Sequence, residues 1–88
     1  MKHLNITVKG KVQNVGFRHF TNKRANELNV KGFVKNLPNG DVYIEAEEEE
    51  NILNTFIDLV RQGPTWARVD DISLQEAPTD GFEDFTIR

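Results

Sequence analysis

Cysteine is absent from this chain. That excludes disulfides, thiolate metal sites and cysteine nucleophiles together. A small secreted domain without disulfides is disfavoured, so a cytoplasmic location is expected. Long hydrophobic runs are missing too. The first stretch, "MKHLNITVKG", lacks the apolar segment of a signal peptide, and nothing approaches a membrane span. Histidine is scarce, at two residues, and no cluster with metal-ligand spacing stands out, so neither a metal nor a cofactor is expected. Basic charge is not in excess either. Eleven Lys and Arg face 14 Asp and Glu, a net charge of −3. That balance argues against a nucleic-acid partner, whose phosphates reward a basic surface. An anionic substrate would have to be attracted locally rather than by the field of the whole molecule.

What is present suits an ordinary globular protein: 38% apolar and 28% charged residues. The 88 residues make one domain, 1–88, with one modest core. A chain of this length starting at methionine favours a free-standing protein. No large exposed apolar stripe forces a dimer, so a monomer is expected.

Hydrophobic spacing divides the chain clearly. In "HLNITVK", Leu4, Ile6 and Val8 alternate with polar residues, which predicts a half-buried strand ended by Gly10. From Phe17 to Asn29 the pattern turns helical, with Phe20, Ala25 and Leu28 on one stripe. Val30 to Asn36 reads as a second strand. Asn39-Gly40 is the strongest hairpin signal, because both residues tolerate positive φ. "DVYIEA" then returns antiparallel, with Val42, Ile44 and Ala46 inward. Ile52, Leu53, Phe56, Ile57 and Val60 mark the clearest helix, ended by Gly63 and Pro64. The acidic run Glu47 to Glu50 reads as its solvated start. Val69, Ile72 and Leu74 mark a fourth strand, whose uneven spacing predicts a bulge near Asp70-Asp71. "FEDFTIR" adds a short last strand carrying Phe85 and Ile87. The order βαββαβ plus this strand is the ferredoxin-like split βαβ sandwich: an α+β fold with an antiparallel sheet and two helices on one face.

Between the first strand and first helix lies "GKVQNVGFR". A helix start exposes unpaired N–H groups, and a loop before it can curl them into a nest for an anion. Gly16 removes a side chain that would obstruct the approach. Asn14 tolerates left-handed backbone. Arg18 offers a fixed charge and a planar fork matched to phosphate oxygens. The same residues fit a plain β-to-α turn with a surface arginine equally well. The stretch is neither a Walker A motif nor a dinucleotide fingerprint. Asn36, taken alone, is a strand-end residue priming the turn from Leu37 to Gly40.

Two segments carry a family likeness. "GKVQNVGFR" resembles the acylphosphatase signature Gly-x-Val-Gln-Gly-Val-x-Phe-Arg. "GFVKNLPNGDVYIEAE" resembles the family's second segment, Gly-(aromatic)-Val-x-Asn followed by a turn and a Gly-x-Val strand. With "FEDFTIR" the resemblance extends over nearly the whole chain. Asn14 stands where the family usually has glycine, and asparagine can adopt the same backbone. The resemblance implies hydrolysis of small acyl phosphates to carboxylate and phosphate. It implies that the backbone of Gln13, Asn14, Val15, Gly16, Phe17 and Arg18, with the Arg18 guanidinium, holds the phosphoryl group. The side chain of Asn36 would position the attacking water.

The chemistry agrees with so spare a toolkit. A carboxylate leaving group has a conjugate acid of pKa roughly 4 and departs without a proton donor. Phosphoryl transfer then needs mainly positioning and charge stabilisation. Two rivals remain at this level. One is an RNA-binding ferredoxin-like module, since "KGFV" faintly echoes an aromatic strand motif with Phe33 and Tyr43. The other is a non-catalytic phosphate-binding module. Among the remaining residues, Phe17 is expected to anchor the loop and Trp66 to lid the core. His3 is expected on an edge-like segment and His19 on the surface, and Asp70 and Asp71 make a poor metal pair.

Overall fold

The computed structural model describes all 88 residues. Its elements are β1 (Lys2–Lys11), α1 (Phe17–Glu27), β2 (Lys31–Asn36), β3 (Val42–Glu48), α2 (Glu50–Gln62), β4 (Arg68–Ala77) and β5 (Phe85–Ile87). The sheet order is β4-β1-β3-β2-β5. β1 runs antiparallel to both β3 and β4, and β2 antiparallel to β3. The short β5 joins parallel to β2, so the sheet is mixed at that end. None of the helices is long and apolar enough to cross a membrane.

The alternation read from the sequence sets the core. Ile6 and Val8 of β1 meet Ile44 and Val42 of β3, and all four are fully buried. Leu53, Phe56 and Val60 of α2 close over them. Glu50 in the first turn of α2 and Arg61 in the last complement the helix dipole.

Several boundaries differ from the sequence reading, each for a visible reason. Gly10 does not end β1, which runs on to Lys11. Instead it lies beside the β4 bulge, where pairing jumps from Lys9–Asp71 to Gly10–Val69 and leaves Asp70 as the extra residue. The bulged backbone comes so close that a Cβ at position 10 would lie 2.1 Å from the Arg68 carbonyl oxygen. α1 stops at Glu27 rather than Asn29. Asn29 turns left-handed, at φ 58, and the Val30 N–H closes back on the Ala25 carbonyl at 2.8 Å. Its buried face is Phe17, Thr21 and Ala25, while Phe20 sits half-buried under the Arg24 guanidinium. Trp66 is no core lid: it is 77% exposed.

The largest departure concerns the acidic run. Glu47 and Glu48 belong to β3 and are buried. Glu48 pairs with Lys31 at 3.1 Å. Glu47 accepts the backbone N–H groups of Asp80, Gly81 and Phe82 and lies 2.6 Å from His3 Nδ1. It thereby fastens the connector between β4 and β5 across the open face of the sheet. His3 is likewise not on an edge segment, because β1 is flanked on both sides, and its ring is buried. Burial raises the Glu47 carboxyl, but His3 and the three N–H donors outweigh it and hold the group below its ordinary value. Phe82, carried by the connector, packs edge-on against Phe33, and Arg88 stacks 3.9 Å above the same ring. Phe33 is thus only 5% exposed, which removes the face an RNA base would stack on.

Candidate active site

At the end of β1, residues 12 to 16 turn the chain into α1. Signs of φ alternate along this turn. Asn14 is left-handed at φ 62 and Gly16 at φ 78, while Gln13, Val15 and Phe17 are not. Such alternation turns successive N–H groups toward one point, which is the geometry of an anion nest. No side chain caps α1, and the first amide of the region to find a backbone acceptor is Phe20, which donates to the Gly16 carbonyl at 3.0 Å. Gly16 is required by its φ and not by crowding, since no atom of the chain lies within 4 Å of a Cβ built there.

The turn borders an open depression of about 250 Å³. Asn14, Gly16, Phe17 and Arg18 line it from the loop and helix start, and Asn36 lines it from the end of β2. Of the other loop residues, neither Gln13 nor Val15 contributes to the lining. Phe17 is 2% exposed and anchors the turn in the core. The Arg18 side chain is exposed, with no carboxylate or other partner in the chain. Asn36 Oδ1 is buried without a hydrogen-bond partner, one of only two such side-chain atoms in the protein. A buried acceptor left unpaired costs about 1–3 kcal/mol, so it calls for a donor at that spot.

Four contributors escaped the sequence reading. Ile87 of β5 and Val12 give the depression an apolar side, and His19 stands exposed at its rim. The parallel pairing of β5 with β2 is what places Ile87 there, and three residues of strand carry no signal of their partner. The fourth is the side chain of Gln13. Its Nε2 donates to the Leu37 carbonyl at 2.8 Å and to the Asp41 carbonyl at 2.9 Å. It ties the loop to the β2–β3 turn, and so holds Arg18 and Asn36 in register. No carboxylate lines the depression.

Comparison with known proteins points one way. A family model described as acylphosphatase matches residues 4–87. The acylphosphatase of Thermotoga petrophila is 49% identical over 88 residues, spanning 100% of this chain and 98% of its own length. Among solved structures, the acylphosphatase from Bacillus subtilis superposes with a TM-score of 0.98 at 39% identity, covering 100% of this chain and 99% of that one. A full-length HypF in the phosphate- and nucleotide-bound form gives a TM-score of 0.88 at 32% identity, over 99% of this chain but 12% of HypF.

Proposed function

This chain is an enzyme of the acylphosphatase family, and we propose that it hydrolyses the carboxyl–phosphate bond of small acyl phosphates through Arg18, Asn36 and the amides of residues 13 to 18. The observation that carries this reading is the unpaired Asn36 Oδ1 in the same depression as the unpaired Arg18 guanidinium.

In this mechanism the phosphoryl oxygens settle in the nest of loop amides. Arg18 supplies the one fixed charge on their dianion. Asn36 Oδ1 accepts a hydrogen bond from a water and aims its lone pair at phosphorus, in line with the acyl oxygen. As the new P–O bond forms, the bond to the acyl oxygen breaks and a carboxylate leaves with its electron pair. An amide is a poor base, so the water's proton passes to a phosphate oxygen, and the products are carboxylate and inorganic phosphate. The apolar side formed by Val12 and Ile87 fits the hydrocarbon part of the acyl group. A cytoplasmic monomer without a nucleic-acid partner fits the composition.

Benzoyl phosphate hydrolysis without added metal tests the reading. Wild type is expected to turn over. Arg18→Ala, checked for folding by circular dichroism, is expected to lose activity and to bind inorganic phosphate more weakly. A folded but inactive wild type would leave a phosphate-binding module. Full activity in Arg18→Ala would remove the assignment of the charge.

A further inference from the structure

The connector between β4 and β5 is held to the sheet by a side chain and not by a backbone ladder. The N–H groups of Asp80, Gly81 and Phe82 have one acceptor among them, the Glu47 carboxylate. Glu47 lies in turn against His3. Nδ1 of that buried ring is 2.6 Å from Glu47 Oε2, while Nε2 is 2.9 Å from Glu45 Oε1 and 3.0 Å from Asn5 Oδ1. A neutral imidazole carries one N–H and cannot donate to both carboxylates. The imidazolium carries two, and only that form satisfies the contacts on both nitrogens.

The same ring is the one positive group among three carboxylates. Glu45 and Glu47 face it from β3, and neither is paired with a lysine or arginine. Asp80, on the connector, brings a carboxylate oxygen within 4.8 Å of the ligand atoms of His3 and Glu45. From β4 the residue opposite His3 is the uncharged Ala77. Lys31 of β2 stands opposite Glu47, but Glu48 and the Asn29 carbonyl hold its ammonium. Arg88 lies over the rings of Phe33 and Phe82. Tyr43 donates its hydroxyl to Glu45 Oε2. Phe82 itself stacks on the His3 ring, with centroids 5.8 Å apart and planes at 29°. Burial works against the charge on His3. The hydrogen bonds to Glu47, Asn5 and Glu45, with the Glu45 charge, outweigh it and raise the ring above histidine's ordinary value.

We propose that His3 is a pH-operated latch, closed on the connector while the ring carries two protons and released when it gives one up. The imidazolium balances the sheet carboxylates against the one on the connector. Losing its proton leaves Glu45, Glu47 and Asp80 with no charge between them, and their repulsion lifts the one that is mobile, Asp80, away from β3. The sign follows from the raised ring. Its stabilisation is complete below histidine's ordinary value and is lost as pH rises through the higher folded value. The connector leads into β5, whose Ile87 lines the depression, so release loosens the approach to the strand that forms the apolar side of the site.

The test is amide exchange at residues 80 to 82 from about pH 5 to 10, read as protection relative to the free-peptide rate, beside an NMR titration of the His3 ring. Protection is expected to hold while His3 is charged and to fall by about 10–100-fold across its titration, with the amides pairing β1 to β3 unaffected. Glu45→Gln removes one of the two carboxylates on the ring. It is expected to lower the His3 midpoint and to move the loss of protection to the same lower pH. Protection that stays level through the His3 titration would overturn the proposal. So would a step that stays in place when Glu45→Gln moves the His3 midpoint. A ring already neutral at about pH 5, or still charged at about pH 10, would overturn it equally.

Discussion

Replacing Asn36 by alanine separates catalytic work from structural work. Its amide lies at the end of β2, where the backbone pairs with Val42 whatever the side chain. The buried Oδ1 has no partner, so the side chain brings a burden of about 1–3 kcal/mol that only a bound water relieves. Truncation removes that burden together with some packing. The variant is therefore expected to be as stable as wild type or up to about 2 kcal/mol more stable, and in a domain of this size each kcal/mol raises Tm by about 4–8 °C. Catalysis moves the other way. Losing one preorganised group that acts at the transition state is expected to lower kcat by about 100-fold or more, near 2.7 kcal/mol of barrier, with KM little changed. Thermal melts and benzoyl phosphate kinetics on one preparation read both numbers. A fall in stability of more than about 1 kcal/mol with kcat within tenfold of wild type would refute the reasoning and make Asn36 a turn-priming residue.

Gln13→Leu removes two hydrogen bonds to the β2–β3 turn; a stability loss of about 1–3 kcal/mol in urea, with a higher KM, is expected, and an unchanged KM would confine the side chain to folding. Asn14→Gly restores the family's usual residue at a position already left-handed, so kcat/KM is expected within about threefold of wild type in the same assay. The one tyrosine reports directly in an ultraviolet pH titration. Burial first, and then the bond to and charge of Glu45, push the Tyr43 phenol up to about 12, and Glu45→Gln is expected to bring the midpoint part of the way down. Because the folded phenol keeps its proton where the unfolded one loses it, its stabilisation is present below pH 10 and lost as pH rises toward 12.

Period and spacing made the strands and α2 legible, because Ile6, Val8, Ile44 and Phe56 each answer to one buried face. Asn14, Gly16 and Arg18 were legible in the loop's own chemistry and Asn36 only through the family resemblance, and the fold brings all four to one depression. Buried polarity was not. Glu47 looked like a solvated helix start because its partners, His3 and the amides of residues 80 to 82, lie 33 to 44 positions away. Spacing within a segment carries no trace of such pairs. The Gln13 side chain stayed hidden for the same reason, since it reaches 24 and 28 positions along the chain to backbone carbonyls that have no residue type to recognise.

The bulge at Asp70 also bears on what a second molecule would meet. A five-stranded sheet has two free margins, and unpaired strands there are templates for self-association. The β5 margin offers only three residues. The β4 margin is ten residues long, but its regular ladder is interrupted at Asp70, where Arg68 and Asp70 pair across the exposed surface. An incoming strand would lose register at that point and would have to bring its own backbone against charged side chains. The irregularity that lets Gly10 sit so close to β4 thus also guards the sheet against growing, strand by strand, into fibrils.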